Sequence, residues 1–368
     1  MKPFIRLAIA LAAIAACLTL ATPVRAQPSI QLQTFPPLSQ VVPNTEPVRI
    51  DLTAVGANQQ PLTNAQMVVT LMTPPKTPFW SSDFPIVEGT TLLELADVVT
   101  DGQLAFQTFL PIRGSYSLRV EVAPLQAEDF KPFEQILTLQ VPENPIKYRN
   151  AAILMGILLL AGFGCGWILG AQQVVHPGEV TSRPVQTMLS VAIIIAIAVL
   201  LVVNISAEIT EVHQVKGHSN TLTAIAQQNA EVQVEMLGET AAVVGRPSTQ
   251  RVHVKGNSNI TLKISAVGLE HNQPIFAYET APKTAGEFTW KQQFFDGGPH
   301  RVTVDVAPAR DTSLRFEPFS VGQEIHVEGI SPPLLVRLIG LVYYTSLFVA
   351  ALAAGYFIHR RNRLLVRC

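Results

Sequence analysis

The sequence carries little charge for its length. Only 14% of its 368 residues are charged, whereas soluble globular proteins carry about 25%. Because 48% of the residues are hydrophobic, the low charge does not indicate a disordered chain. The 26 basic and 27 acidic residues nearly balance, so the chain has no overall positive field for binding nucleic acid. The apolar excess must therefore be concentrated in particular segments.

Cysteine is scarce, and the common catalytic motifs are missing. The three cysteines, Cys17, Cys165 and Cys368, exclude a disulfide-rich scaffold. The sequence has no G-x-S-x-G, no G-x-x-x-x-G-K-S/T and no C-x-x-C, so it offers no nucleophile elbow, phosphate-binding loop or redox pair of these kinds. We therefore expect a protein that is not an enzyme and that has no cofactor.

The first apolar segment is N-terminal and predicts a signal peptide over residues 1–26. Lys2 and Arg6 precede an apolar run, and Ala26 and Val24 occupy positions −1 and −3 of the expected cleavage point after Ala26. The residues up to Cys17 also resemble the lipobox of bacterial lipoproteins, in which the cysteine is lipidated. Cleavage after Ala26 and lipidation of Cys17 both remain open, and both would export the chain that follows.

Three longer apolar segments predict transmembrane helices. They have 21, 19 and 21 residues and contain no charged side chain. A 21-residue helix spans about 31 Å, which matches the hydrocarbon core of a bilayer, about 30 Å thick. Because the segments also contain no carboxylate, lysine or histidine, they argue against an ion or proton path and hence against a transporter. The predicted spans are residues 151–171, 185–203 and 338–358.

The signal peptide and the basic C-terminal tail determine the predicted orientation. Residues 359–368 carry four arginines, as expected for a cytoplasmic tail. Lys147 and Arg149, at the outer end of the first span, disagree with this orientation because basic residues favour the inner side. We predict a multi-pass protein of the inner (plasma-type) membrane, with its C-terminus and the loop 172–184 in the cytoplasm. The predicted exported regions, in the periplasm or an equivalent compartment, are residues 27–147 and 204–331.

Both exported regions are acidic and rich in predicted strands. Residues 27–147 contain 6 basic and 12 acidic residues, and residues 205–331 contain 10 and 14, which argues against binding nucleic acid or anionic lipid through bulk charge. Several runs alternate polar and apolar residues, as strands with one buried face do. Such strands predict a β-sandwich in each region, without the stabilising disulfide of antibody domains because neither region contains a cysteine. The alternating runs are residues 48–54, 118–122, 260–266 and 302–306.

The two regions also resemble each other in sequence. Residues 52–62 match residues 264–275, and residues 114–124 match residues 298–308, in the same order. Each β-region is followed by a transmembrane span. We therefore predict an internal duplication in a membrane protein with mainly β ectodomains, consisting of two immunoglobulin-like β-sandwiches on three transmembrane helices.

The first region carries a recognisable series of strands and turns. A strand from Ala65 to Leu71 is followed by a strand from Gly102 to Phe109 and a Gly114-Ser115-Tyr116 turn. This series resembles YtkA-like and FixH-like exported β-sandwich modules. The resemblance covers about residues 45–124 and, more weakly, residues 258–308. It implies an immunoglobulin-like fold and a role in copper handling or in cytochrome oxidase assembly.

Three glycines of the first predicted span recur at every fourth position. Gly162, Gly166 and Gly170 would form a flat groove on a helix, and such a groove lets a second helix approach closely. Whether the second helix belongs to the same chain or to another copy remains open. The small residues that offer a facing surface are Ala192 and Ala196 in the second span and Ala351 and Gly355 in the third.

Histidines are the metal-ligand candidates. Six lie in the second exported region, and none shows the short spacing to a cysteine that marks many zinc sites. Alternation with apolar neighbours predicts that His253 and His326 lie on the solvent face of a strand. A cluster that draws on separate strands is the remaining way to build a metal site. The candidates for it are His253, His271, His300 and His326.

These features predict a non-enzymatic interaction or assembly factor of a bacterial-type envelope, which holds partners at the outer face of the membrane. Its partners would be the lipid bilayer and either a membrane protein or a second copy of the chain, but not nucleic acid. The alternative is a copper- or other metal-handling envelope protein, which the family resemblance and the six histidines favour.

Overall fold

The described part of the chain consists of a β-sheet body and two long helices. The predictions for residues 1–26, including Cys17, and for the loop 172–184 lie outside the described residues. The computed structural model describes residues 27–77, 82–126, 129–170, 187–188, 190–193, 195, 222–228, 232–256, 259–281, 286–309 and 316–366.

The first unit of the body contains seven strands. Buried and exposed residues alternate along most of them, because one face of each strand packs against the opposite sheet. The strands are β1 (Ser29–Phe35), β2 (Pro47–Val55), β3 (Ala65–Met72), β4 (Thr91–Val99), β5 (Gln103–Phe109), β6 (Gly114–Pro124) and β7 (Phe133–Val141), with a short 3-10 helix, Leu38–Gln40, between β1 and β2.

The described residues of the second unit form nine strands. Four alternating runs predicted from the sequence, at residues 48–54, 118–122, 260–266 and 302–306, are confirmed as parts of β2, β6 and two strands of the second unit, β12 (Ile260–Gly268) and β15 (Gly298–Pro308). The strands of the second unit are β8 (Leu222–Gln228), β9 (Val232–Glu239), β10 (Ala241–Val243), β11 (Pro247–Gly256), β12 (Ile260–Gly268), β13 (Gln273–Thr280), β14 (Gly286–Gln293), β15 (Gly298–Pro308) and β16 (Phe319–Glu328).

The strands form two packed eight-stranded sheets, and each sheet runs through both units. One sheet has the order β1-β2-β5-β13-β12-β15-β16-β10, and the other β7-β6-β3-β4-β14-β11-β9-β8. The units join where β5 pairs with β13 and β4 pairs with β14, both antiparallel; we call these two pairings the seam. The prediction of two separate sandwiches is therefore wrong, because the units share both sheets and one hydrophobic core. Pairing across the seam satisfies backbone groups that would otherwise form open sheet edges.

The two units share one strand order. The series β7-β6-β3-β4 of the first unit corresponds to β16-β15-β12-β13 of the second, and β1-β2-β5 corresponds to β9-β11-β14. Gly102 and Gly114 are as far apart in sequence as Gly286 and Gly298. The segments β5–β6 and β14–β15 therefore correspond position by position.

One of the two predicted sequence matches agrees with this correspondence. Residues 114–124 and 298–308 form β6 and β15, which take equivalent places. The match between residues 52–62 and 264–275 is wrong, because it aligns β2 with β12, whose structural counterpart is β3. Half-buried strands share a period of two whatever their place in a sheet, so alternation alone does not distinguish them.

A long helix follows each unit. Helix α1 (Pro145–Gly170) follows β7, and α2 (Leu334–Val366) follows β16. Asn144 caps α1: its side-chain oxygen accepts a hydrogen bond from the N–H of Ile146 at 2.9 Å, and Pro145 occupies the first helical position, where no N–H is needed. Among the described residues, α1 and the part of α2 from Leu334 to Asn362 are long and apolar enough to cross a membrane.

Both helices extend beyond the predicted spans. Helix α1 begins before residue 151 because of its cap, and α2 continues into the basic residues predicted as a tail, 359–368. Arginine is a good helix former, so the tail continues the helix. Within the predicted span 185–203 only residues 187–188, 190–193 and 195 are described, and these are helical.

The two helices leave the same end of the body. Neighbouring strands are antiparallel from β7 to β4 in one sheet and from β5 to β16 in the other, and the chain reverses direction between β4 and β5. As a result, β7 and β16 run in the same direction. Helices α1 and α2 therefore start at the same end and run parallel to each other.

Candidate functional site

The glycine row of α1 packs against α2. Gly162, Gly166 and Gly170 are the buried residues of α1. A β-carbon placed on Gly166 would lie 1.9 Å from the carbonyl oxygen of Leu352, and one placed on Gly162 would lie 2.6 Å from that of Phe348. Side chains larger than hydrogen therefore do not fit at these positions unless the helices move apart.

Helix α2 contributes small residues of its own to this contact. A β-carbon on Gly355 would lie 2.3 Å from the carbonyl oxygen of Phe163, and Ala351 is buried against Gly162. The glycine row thus meets two of the predicted small residues within one chain. Of the other two, Ala192 is exposed, and Ala196 lies outside the described residues.

The remaining glycines of α1 mark its other faces. Among the described residues, nothing lies within 4 Å of a β-carbon placed on Gly156 or Gly164. Substitutions at these two positions therefore leave the contact with α2 intact, which makes them matched controls for the glycine row.

An ion-pair network connects the start of α1 to the first unit. The Nζ atom of Lys147 lies 2.7 Å from a carboxylate oxygen of Asp83 and 3.7 Å from one of Glu143, and Arg113 lies 2.7 Å from Glu143. The basic charge of Lys147 at this end of the helix is therefore matched by carboxylates of the body. This pairing gives a physical reason for Lys147, the residue that disagrees with the orientation predicted from the sequence.

The four candidate histidines do not form one cluster. His253 is half-buried on the outer face of β11, and His326 is exposed on the outer face of β16, as their apolar neighbours predict. His271 is exposed in the turn after β12, and His300 is buried on β15. Within the described ranges, no three histidine, cysteine, aspartate or glutamate side chains are placed to hold a metal ion.

His271 and His300 nevertheless line one small cavity. Its volume is about 20 Å³, which is room for a single water molecule or ion. It lies at the end of the second unit from which α2 leaves, and Glu270 and Asp296 also line it. Sequence reasoning missed these two carboxylates, because Asp296 precedes two glycines and so predicts only a turn.

The ring of His300 has a defined tautomer. Its Nδ1 atom lies 3.1 Å from the carbonyl oxygen of Gly298; since a carbonyl only accepts hydrogen bonds, Nδ1 carries the proton and Nε2 keeps a lone pair. The residue is 4% exposed. Burial lowers the pKa of His300 below its usual value, and the nearby carboxylates of Asp296 and Glu270 oppose this shift only in part. The imidazole is therefore neutral at neutral pH.

Tyr116 is the equivalent residue of the first unit. It follows Gly114 as His300 follows Gly298, and both glycines have left-handed φ angles, 117° and 112°. The Tyr116 hydroxyl donates to the carbonyl oxygen of Ile112 at 2.7 Å and accepts its N–H at 3.0 Å. The imidazole of His300 is shorter than the phenol of Tyr116 and, among the described residues, has one backbone partner, the carbonyl oxygen of Gly298, in place of two. An alignment of β6 with β15 shows that a histidine stands in the second unit where the first unit has a tyrosine. This difference is the feature of the sequence that could have revealed the site.

A second polar contact, also missed from the sequence, lies at the seam. Asp97 on β4 accepts hydrogen bonds from the hydroxyl groups of Tyr278 and Thr280 on β13. These strands belong to different sheets and different units, so Asp97 joins the units through the interior. Burial raises the pKa of Tyr278, and the charge of Asp97 adds to the effect, so the hydroxyl remains a donor.

Comparisons with known proteins return weak structural similarities. No protein-family model and no curated protein matches the chain. FetP of uropathogenic Escherichia coli strain F11 is 11% identical over 31% of this chain and 100% of its own, with a TM-score of 0.23. Escherichia coli alpha-2-macroglobulin is 11% identical over 83% of this chain and 17% of its own, with a TM-score of 0.21. PorU of Porphyromonas gingivalis is 7% identical over 83% and 34%, with a TM-score of 0.25. Similarities this weak support no functional assignment.

Proposed function

We propose that the chain is a membrane-anchored, non-enzymatic interaction or assembly factor that presents its β-body at the outer face of a bacterial-type inner membrane. The observation that carries the proposal is the parallel pair of α1 and α2. Only 11% and 6% of their most apolar stretches are buried, so nearly all of their apolar surface faces away from the protein. A bilayer is the environment in which such helices are stable.

The direction of the two helices supports a third crossing. If α1 and α2 both enter the membrane from the body, α1 ends at Gly170 on the far side, yet β8 begins at Leu222 in the body. The chain between them must then cross back once. Residues 185–203, which carry no charge, are the segment long enough to do so. In this topology the C-terminus is cytoplasmic.

The attachment of α1 favours a scaffold role. The network of Lys147, Asp83, Glu143 and Arg113 holds the start of α1 against the first unit, and the glycine row holds α1 against α2. The body is therefore presented to its partners, a membrane protein or a second copy of the chain, in a fixed orientation.

Thiol labelling tests the orientation. Lys263→Cys places a thiol on an exposed face of β12, and Cys368 is native at the C-terminus. In spheroplasts, a membrane-impermeant maleimide should label the Lys263→Cys variant above the background level of labelling measured with the parent chain. Cys368 should be labelled only after lysis, with Cys368→Ser as the control. Labelling of Cys368 in intact spheroplasts contradicts the proposed topology.

Copurification tests the assembly role. The full-length chain, extracted in mild detergent, should retain a stoichiometric membrane-protein partner or a second copy. Gly166→Leu should lose most of this capture because it separates α1 from α2, whereas Gly164→Leu, on an open face, should keep it. A parent chain without a stoichiometric partner, or equal capture by the two variants, contradicts the proposal.

Metal handling, of copper or another metal, is the second candidate function. It is favoured by one observation: the buried His300 and the exposed His271 line one cavity together with two carboxylates.

A further inference from the structure

We propose that the cavity beside His300 binds one divalent transition-metal cation of the Zn²⁺ class. The ligands are the Nε2 atom of His300, the imidazole of His271 and the carboxylates of Glu270 and Asp296. The proposal gives the second candidate function its site and rests on that function. It is independent of the membrane-anchored role.

His300 already has the arrangement of a metal ligand. Histidines that bind metals commonly donate their other ring N–H to a backbone carbonyl or carboxylate, and Nδ1 of His300 does so to Gly298. Among the described residues nothing forms a hydrogen bond with Nε2, although His300 is 4% exposed.

The backbone brings the other donors to the same place. Gly268, the last residue of β12, pairs in register with His300. The next residue, Leu269, donates its N–H to the carbonyl oxygen of Pro299 at 2.9 Å. Glu270 and His271 follow at once, so the turn that carries them is fixed beside the start of β15.

Gly298 leaves room for one of the carboxylates. A β-carbon on Gly298 would lie 2.7 Å from Oε1 of Glu270, and the φ angle of Gly298, 112°, also disfavours other residues. The carboxylate of Glu270 thus lies over the backbone whose carbonyl orients the ring of His300. This arrangement is lost if residue 298 carries a side chain.

The lining identifies the class of ligand. Two carboxylates line the cavity, and none of the described residues that line it is a lysine or an arginine, so the cavity attracts a cation. Mixed imidazole and carboxylate donors suit Zn²⁺ or Cu²⁺ better than Ca²⁺ or Mg²⁺, which prefer oxygen alone. The groups described do not yet stand at coordinating distances. Binding therefore requires the exposed side chains of Glu270 and His271 to rotate toward Nε2.

Calorimetric titration with Zn²⁺ alone tests the proposal. The full-length chain, purified in detergent with a tag that contains no histidine and stripped with EDTA, should bind one Zn²⁺ per chain at neutral pH. His300→Gln and His271→Ala should each weaken binding by about tenfold or more, because each removes a ligand. His253→Gln should bind as the parent chain does, because His253 lies on the outer face of the other sheet.

Two further measurements keep the result interpretable. His271→Ala and Glu270→Gln alter an exposed turn, so their unchanged melting temperatures show that any loss of binding is not a loss of folding. The absence of saturable binding by the parent chain, an unchanged affinity in His271→Ala, or a loss of binding in His253→Gln overturns the proposal. Partner capture by His271→Ala should equal that of the parent chain, so a failed zinc site and a failed assembly role are distinguishable.

Discussion

Tyr116 and His300 occupy the same place in the two units, and burial keeps both side chains neutral. Burial raises the pKa of Tyr116 and lowers that of His300, because in each case the charged form loses its hydration. The Tyr116 hydroxyl has both a donor and an acceptor in the backbone of Ile112. Among the described residues, His300 has a hydrogen-bond partner for one nitrogen only. The second unit therefore has a nitrogen lone pair available to a ligand at the place where, in the first unit, the Tyr116 hydroxyl both donates and accepts a hydrogen bond.

The lowered pKa of His300 makes stability depend on pH. In the unfolded chain a histidine titrates near its ordinary value, about 6.5, whereas in the folded chain His300 takes up its proton only at lower pH. The stability associated with the neutral ring is therefore present above about pH 6.5 and is lost as the pH falls toward the folded pKa. Between neutral pH and about pH 5, the melting temperature of His300→Phe should fall less than that of the parent chain. The measurement is thermal denaturation in EDTA.

His253→Gln is the control for this experiment. Because His253 lies on the outer face of its sheet, its replacement should leave the acid-induced fall in melting temperature as it is in the parent chain. An equal fall in His300→Phe and the parent chain would show that His300 does not contribute.

Asp97 gives a prediction about the seam. Asp97→Ala leaves the hydroxyl groups of Tyr278 and Thr280 without their acceptor, which should lower the free energy of unfolding by about 1–3 kcal/mol. Asp305→Ala is the matched control, since Asp305 accepts a hydrogen bond from Ser320 at an exposed site and should cost less than about 0.5 kcal/mol. Denaturant unfolding measures both. Equal losses in the two variants would contradict a special role for Asp97.

Sequence alone predicts the faces of side chains better than their partners. Alternation is a local property, so it places His253 and His326 on outer faces. The contacts of His300 with the turn at His271, and of Asp97 with Tyr278, depend on which strands become neighbours. Strand pairing is set by the whole chain, which is why the cavity was not predicted.

For the helices, too, the sequence predicts a local property but not the partner. The spacing of Gly162, Gly166 and Gly170 predicts a packing face because helical periodicity is local. The spacing does not predict which helix packs against this face, and the structure shows that it is α2 of the same chain. The parallel start of both helices at one end of the body accounts for the choice.

Methyl groups in this contact should be enough to disturb it. Gly166→Ala places a β-carbon 1.9 Å from a carbonyl oxygen of α2, and Gly355→Ala places one 2.3 Å from a carbonyl oxygen of α1. Each should lower the thermal stability of the chain in mild detergent. Gly156→Ala places a β-carbon with none of the described residues within 4 Å and also favours the helix, so it should not lower the thermal stability. If all three variants melt alike, the glycine row is not a packing face.

The whole molecule differs from its sequence-based prediction in how the two units are joined. Alternating runs and turn residues reveal strands, but they do not reveal which strands are edges. The duplicated order of strands makes β4 and β5 of the first unit neighbours of β14 and β13 of the second. Trp290 faces Leu95 across one of these pairings, and both are buried in the shared core.

A shared core predicts that the body unfolds as one unit. Calorimetry of the full-length chain in detergent should show a single transition for both β-units, because neither can lose its seam strands without exposing the other. Lys291→Ala removes the half-exposed ion pair with Glu94 at the seam, worth at most about 1 kcal/mol, and should leave the single transition in place. Two resolved transitions in the parent chain would show that the units are independent.

The distance along the chain between the seam strands matters during synthesis. Strands β4 and β5 are complete by Phe109, but β13 begins only at Gln273 and β14 ends at Gln293. In the proposed topology, α1 and the return crossing are made in between. Throughout that interval the two seam edges of the first unit, β4 and β5, are unpaired and can pair with any extended chain nearby. In that topology the nascent protein would be open to misassembly and proteolysis after its first half is exported and before its second half is made.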